Sequence, residues 1–192
     1  MLFALAAAKR DLKGRAAKLG DIKPENIFIN DDGKARIASQ YSWPGEIPSF
    51  ERATDMENYN YNGLLAPEDV SELQRGSLEN DNNTQSEIFA IGATIISAGI
   101  LNNFSSVYHY KNKTFNTQAF REIKHTWANS ERYSPIFKSI VLNLVDSNPG
   151  ERLTEAELWE FISPYSNSIL DKSQFVIQFA PKKVEHTFVA LQ

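Results

Sequence analysis

Residues 19–26 read Leu-Gly-Asp-Ile-Lys-Pro-Glu-Asn, and this stretch decides which fold the rest of the chain must support. It compresses a carboxylate, a lysine, a proline and an asparagine into the pattern Asp-x-Lys-Pro-x-Asn, which contains Asp21, Lys23 and Asn26. In such a loop the aspartate and the asparagine can bond neighbouring backbone groups and hold the turn together. A six-residue pattern can also arise by chance, so its meaning depends on the segments that follow.

Two short apolar runs follow the loop, Ile-Phe-Ile at 27–29 and Ala-Arg-Ile-Ala at 35–38. Between them lies Asn-Asp-Asp-Gly at 30–33, and an Asp-Gly turn between apolar runs is typical of a β-hairpin. The sequence therefore predicts a hairpin directly after the loop.

Three more motifs follow in order: Ala-Pro-Glu at 66–68, Ser-Glu-Ile-Phe-Ala-Ile-Gly-Ala at 86–93, and Asn-Pro-Gly-Glu-Arg-Leu-Thr at 148–154. Together with the loop and the hairpin, they resemble the C-lobe of the eukaryotic protein kinases over residues 1–165. The resemblance implies a mainly α-helical, kinase-like C-lobe with a small β-hairpin. Residues 166–192 form an extension beyond it.

The resemblance assigns a role to each polar member of the loop. In the kinase family the residue at Asp21 is the catalytic base, the one at Lys23 contacts the phosphate, and the one at Asn26 helps to hold metal. The metal-binding Asp-Phe-Gly triplet of an active kinase falls on Ser-Gln-Tyr at 39–41. Ser39 offers one weak, neutral ligand where a hard cation favours charged oxygen. We therefore expect these positions to be inactive, with no metal or cofactor held and neither ATP nor Mg²⁺ bound.

The chain resembles only the second half of a kinase, because the loop begins at residue 19 and the sequence shows no glycine-rich loop or strand lysine before it. We expect a truncated pseudokinase without an N-lobe, acting as a structural or protein-binding subunit of a larger assembly. A bare apolar upper face favours a protein partner. The alternative is a fragment of a Ser/Thr-type kinase that needs an N-lobe from elsewhere. Asp21, Lys23 and Asn26 support that alternative, and Ser39 argues against it.

Two structural roles follow from the same resemblance. Glu68 and Arg152 are expected to form a buried bidentate ion pair that ties the Ala-Pro-Glu segment to the turn at 148–154. Glu87 stands where the family has an aspartate that bonds the backbone of the catalytic loop. It also lies three residues after Thr84, so a capping box at the start of a helix is the other role open to it.

Apolar periodicity and capping signals predict the main helices. A helix capped by Thr84 is apolar on nearly every side, as a fully buried helix must be. Another begins after Thr154, which has Glu157 at the capping-box spacing. Residues 42–83, rich in Pro, Gly and Asn, are predicted to be irregular. The predicted helices span residues 2–12, 84–101, 117–127, 135–145 and 155–162.

The extension at 166–192 is rich in β-branched and aromatic residues at 174–179 and 184–189, which predicts two short strands. Alternation places Phe175, Ile177 and Phe179 on one side of the first strand, a face that must be covered. It either folds back over its own domain or adds a strand to the sheet of a partner protein, and we favour the partner.

Composition narrows the possible partners and compartments. A net charge of −4 and a pI near 5.5 give no electrostatic footprint for nucleic acid, and the absence of cysteine excludes disulfides and thiolate sites. The sequence contains no run of 18 apolar residues, so it predicts no membrane-spanning helix. We expect an intracellular protein, cytoplasmic or cytoskeletal. Residues 1–18, basic and with one acid, also resemble a mitochondrial transit peptide, which leaves mitochondria as an alternative.

Overall fold

The structure, a computed structural model, describes residue 6 and residues 22–29, 31, 35–37, 64–75, 84–109 and 112–165. Ala6 is helical and buried, and the remainder of the helix expected at 2–12 lies outside the described residues. The predictions for Asp21, Ser39 and the C-terminal strands with Phe175, Ile177 and Phe179 also lie outside them and stay predictions.

Within the described residues the fold is mainly helical with two small antiparallel sheets, which confirms the coarse fold class. The helices are α1 (Pro67–Arg75), α2 (Thr84–Ile100), α3 (Thr117–Ala128), α4 (Pro135–Leu144) and α5 (Glu155–Ile162). The sheets pair β1 (Ile27–Ile29) with β2 (Ala35–Ile37), and β3 (Tyr108–His109) with β4 (Thr114–Phe115). Single 3₁₀ turns lie at Pro24–Asn26, Pro149–Glu151 and Ser163–Tyr165.

The predicted hairpin is present as β1 and β2. Ile27 lies opposite Ile37, Phe28 opposite Arg36 and Ile29 opposite Ala35, so the register is continuous over the three pairs. Ile27 packs against the core, whereas Phe28 and Ile29 are more than half exposed. Of the three apolar residues of β1, only the first therefore contacts the core.

Helix α2 is the centre of the core, and its sequence explains why. It is apolar around its whole circumference, and the residues from Ile88 to Ser97 are buried apart from Ala90. Helix α4 crosses it at Gly92, where an added Cβ would lie 2.6 Å from Val145 Cγ1 and 2.8 Å from Leu144 Cβ. Glycine fits there because any Cβ would overlap the side chains of Leu144 and Val145 unless the two helices moved apart.

Side-chain caps fix the ends of the helices that surround α2. Asn116, Ser134 and Thr154 each accept a hydrogen bond from a first-turn amide of the helix that follows, and Thr154 forms the predicted capping box with Glu157. Lys138 of α4 donates to the carbonyls of Ala128 and Ser130, so it satisfies the carboxyl end of α3. These hydrogen bonds hold the C-terminal end of α3 against the side of α4.

Two sequence predictions differ from the structure. Residues 42–83 are predicted to be irregular, yet α1 lies among them, beginning at Pro67 with Glu68 and Asp69 in its first turn and Arg75 in its last. Proline at the first position and acids at the amino end stabilise a helix start, and these signals outweigh the surrounding Pro and Gly content. Thr84 is predicted to cap α2 but is instead its first helical residue.

Candidate functional site

The described part of the Asp-x-Lys-Pro-x-Asn segment, residues 22–26, contains a 3₁₀ turn at Pro24–Asn26 and is bonded to the core. Lys23 precedes the turn with extended backbone angles, and the backbone N–H of Asn26 donates to the Lys23 carbonyl at 3.0 Å. Proline at the first position of the turn supplies its fixed φ without losing a needed donor. Ile22 is buried, and its carbonyl accepts a hydrogen bond from Thr94 Oγ1 of α2 at 3.2 Å.

This turn brings two of the four predicted catalytic positions together. Lys23 and Asn26 lie at its two ends, and both are partly buried. The turn itself packs against α2, and the roles expected of Lys23 and Asn26 stay predictions. Asp21 and Ser39, the other two positions, lie outside the described residues.

The second part of the candidate site is the ion pair of Glu68 and Arg152. Arg152 Nη1 lies 2.5 Å from Glu68 Oε1 and Nη2 lies 2.7 Å from Oε2, which is the parallel two-bond geometry of a guanidinium on a carboxylate. Arg152 is 3% exposed as a residue, whereas the side chain of Glu68 keeps 18% exposure. The predicted bidentate pair is present, with its arginine fully buried and its glutamate partly so.

Arg152 also holds two backbone segments. Its Nε donates to the Asp146 carbonyl at 2.7 Å, and its Nη1 donates to the Gln85 carbonyl at 2.8 Å. The guanidinium carbon lies 5.0 Å from the ring centre of Phe89, within the range of a cation–π contact. One side chain thus joins the start of α1, the start of α2 and the turn before α5.

Next to this pair lies a second carboxylate, Asp69, that the sequence did not single out. Its Oδ1 accepts from the Ser86 hydroxyl at 2.6 Å, and its Oδ2 accepts from the Ala66 backbone N–H at 3.3 Å. The pKa of Asp69 is raised to about 6, mainly by burial and also by the negative charges of Glu68 and Glu72, while the two hydrogen bonds act to lower it.

Glu87 lies in the first turn of α2 and is partly buried. A negative charge is favourable there because the backbone N–H groups at a helix start carry partial positive charge. Its predicted role as an anchor for the loop stays a prediction, whereas the predicted capping box does not fit a helix that already begins at Thr84.

No group of three or more His, Asp or Glu side chains within the described ranges is arranged to hold a metal ion. In the same part of the chain, no helix is long and apolar enough to cross a membrane. No protein-family model and no curated protein matches the chain.

Sequence reasoning missed Asp69, Ser86 and Thr94 as members of the site. Asp69 carries a usable signal, because it is the third residue of a helix that opens with proline and its carboxylate returns to the preceding backbone N–H. Thr94 carries another, since a polar residue in the middle of an all-apolar helix must find a partner for its hydroxyl. Ser86 has no signal of its own, because its partner is set by how α1 meets α2.

Proposed function

We propose that the chain is a non-catalytic, protein-kinase-like C-lobe that serves as a structural or protein-binding subunit. The observation that carries the proposal is the bidentate pair of Glu68 and Arg152. It joins the Ala-Pro-Glu segment to the turn at 148–154, which is the pairing that the resemblance to kinases implies. A match between two separated motifs and a specific contact is much harder to obtain by chance than either motif alone.

Two further observations support the same assignment. The segment with Lys23 and Asn26 forms a turn that leads directly into a hairpin, and the carbonyl before that turn is bonded to the central helix by Thr94. The lack of catalysis rests on Ser39, which supplies no charge where the family holds magnesium.

Nucleotide binding tests the non-catalytic part of the proposal. We expect no change in melting temperature when ATP and Mg²⁺ are titrated to millimolar concentration, because a ligand stabilises a protein only if it binds the folded state. The matched controls are ATP with a chelator, and the Asn26→Ala variant. A saturable rise of several degrees that needs Mg²⁺ and is lost in Asn26→Ala would overturn the proposal.

That same outcome would favour the alternative, a kinase C-lobe fragment that obtains its N-lobe from another segment or chain. Lys23 and Asn26 are the observations in its favour, since they lie on one turn as the family requires. Replacing Ser39 by aspartate sharpens the distinction. In the enzymatic alternative this change strengthens Mg²⁺-dependent ATP binding, whereas in a purely structural subunit it has no effect.

The partner-binding part has its own test at the C-terminal extension. Deleting residues 166–192 is expected to abolish incorporation into the native complex while the melting transition of the remaining domain persists. Replacing Phe175, Ile177 and Phe179 together by serine is expected to give the same loss. Normal assembly of either variant would rule out a docking role for these residues.

A further inference from the structure

Asp69 lies where two helices begin. Its carboxylate accepts from the Ala66 backbone at the start of α1 and from the Ser86 hydroxyl in the first turn of α2, seventeen residues later in the chain. No ion pair among the described residues includes this carboxylate. Asp69 therefore joins α1 to α2 through hydrogen bonds alone.

The cation that pairs with the neighbouring Glu68 has no bond left for Asp69. All three nitrogens of the Arg152 guanidinium donate elsewhere, to Glu68 and to the carbonyls of Gln85 and Asp146. Arg152 thus neutralises Glu68, and within the described ranges no cation is paired with Asp69. A largely buried carboxylate without a paired cation is costly in its charged form.

The hydroxyl of Ser86 is shared by two carboxylates. Its Oγ lies 2.6 Å from Asp69 Oδ1 and 3.3 Å from Glu68 Oε1, and a hydroxyl has one proton to donate. While Asp69 is charged, the Ser86 hydroxyl donates its proton to Asp69, the closer of the two carboxylates. When Asp69 binds a proton, its own O–H can donate to Ser86 Oγ, and the Ser86 proton turns to Glu68. Both carboxyls are then bonded to Ser86, and one of two adjacent negative charges is removed.

We propose that this junction is a proton-operated latch, which holds α1 against α2 more tightly when Asp69 is protonated in a mildly acidic medium. The charged groups that face it are Glu68 and Glu72 of its own helix, with Arg152 beyond Glu68. From α2 it meets the hydroxyl of Ser86. The strand β4, which also packs against α1, carries only Thr and Phe.

The direction of the effect follows from the pKa of Asp69, which burial raises from 3.8 to about 6. A group with a raised pKa in the folded state contributes stability that is complete below its unfolded value and is lost as the pH rises through its folded value. The latch is therefore closed below about pH 4 and open above about pH 6 to 7.

Hydrogen exchange on the full chain tests the latch directly. We expect the protection factors of amides in 64–75 and 84–90, corrected for intrinsic rates, to be about tenfold higher at pH 5 than at pH 7.5. Asp69→Asn, which is neutral at every pH, is expected to show equal protection at both. Glu131→Gln, at an exposed position, is the charge-matched control and is expected to respond as the unaltered chain does.

Carbon NMR titration of the Asp69 carboxyl gives an independent readout. Its midpoint is expected near pH 6, and Ser86→Ala is expected to move it upward because the hydrogen bond from Ser86 lowers the pKa. A midpoint near 4 would overturn the proposal. So would unchanged protection between the two pH values, or an equal pH response in Asp69→Asn.

Discussion

Arg152 holds both carboxylate oxygens of Glu68, a residue 84 positions earlier, through two hydrogen bonds of 2.5 and 2.7 Å. The pair connects the first turn of α1 to the segment that precedes α5. Because Arg152 also holds the carbonyls of Gln85 and Asp146, three chain segments depend on one guanidinium.

Replacing Arg152 by alanine is expected to lower the free energy of unfolding by about 3–5 kcal/mol, because Glu68 is left partly buried without its counter-charge. Urea denaturation followed by circular dichroism measures this difference. The exposed Arg132 is the matched control, and its replacement by alanine is expected to change stability by less than about 0.5 kcal/mol. In the double variant with Glu68→Ala the two effects are expected to be less than additive. Additive effects would mean that the pair contributes no coupling energy.

Replacing Gly92 by alanine is expected to destabilise the fold, although alanine favours a helix by about 1 kcal/mol. The new Cβ would lie 2.6 Å from Val145 Cγ1 and 2.8 Å from Leu144 Cβ, so α2 and α4 must separate. Overpacking of this kind costs about 1–3 kcal/mol. Thermal unfolding measures the balance. Gly150→Ala, which meets its nearest neighbour only at 3.5 Å, is the control and is expected to be neutral. A gain in stability for Gly92→Ala would contradict the close crossing.

Replacing Leu101 by glycine is expected to stabilise the chain by about 0.5–1 kcal/mol. Leu101 has a φ of 55° and follows the last residue of α2, with the Asn102 N–H bonded back to the Ser97 carbonyl at 3.0 Å. This is the left-handed position that ends many helices, and a side chain there is strained. Because Leu101 is 85% exposed, little burial is lost. Leu101→Ala keeps the Cβ and is expected to give no such gain, and equal stabilisation by both variants would refute the explanation.

Asp69→Asn is expected to be more stable than the unaltered chain at pH 7.5 by about 3 kcal/mol, and equal to it near pH 4. The raised pKa of Asp69, about 6 against 3.8, means that the folded state binds the proton more tightly than the unfolded state. The unaltered chain therefore loses stability across this window, and the neutral variant does not. Urea denaturation at several pH values measures the difference. A constant difference between the two proteins at every pH would contradict the assignment.

Most helices could be predicted because their own residues determine them. Helix α2 is apolar on every side and α5 begins with the capping box of Thr154 and Glu157, so both are recognisable without knowledge of the fold. Helix α1 was missed because the Pro and Gly content of its surroundings was weighted above the start signals at Pro67. The strands β3 and β4 have two residues each, too few for any periodicity to show.

The contacts of the candidate site also fall into those that the sequence could predict and those that it could not. The contact between Glu68 and Arg152 follows from two recognisable motifs, each identified by its own residues. The contact between Asp69 and Ser86 belongs to no motif and exists only because α1 and α2 begin side by side. Its electrostatic consequence also depends on burial, which the surrounding fold produces. Such properties arise from tertiary packing and leave no local pattern to read.

The hydrogen bond from Thr94 to the Ile22 carbonyl has a mechanical consequence. It attaches the segment before the 3₁₀ turn to the middle of a helix that is buried on all sides, 72 residues away in the chain. The turn that carries Lys23 and Asn26 is therefore positioned by a helix far from it in the sequence, so a change in the packing of α2 would also move the turn.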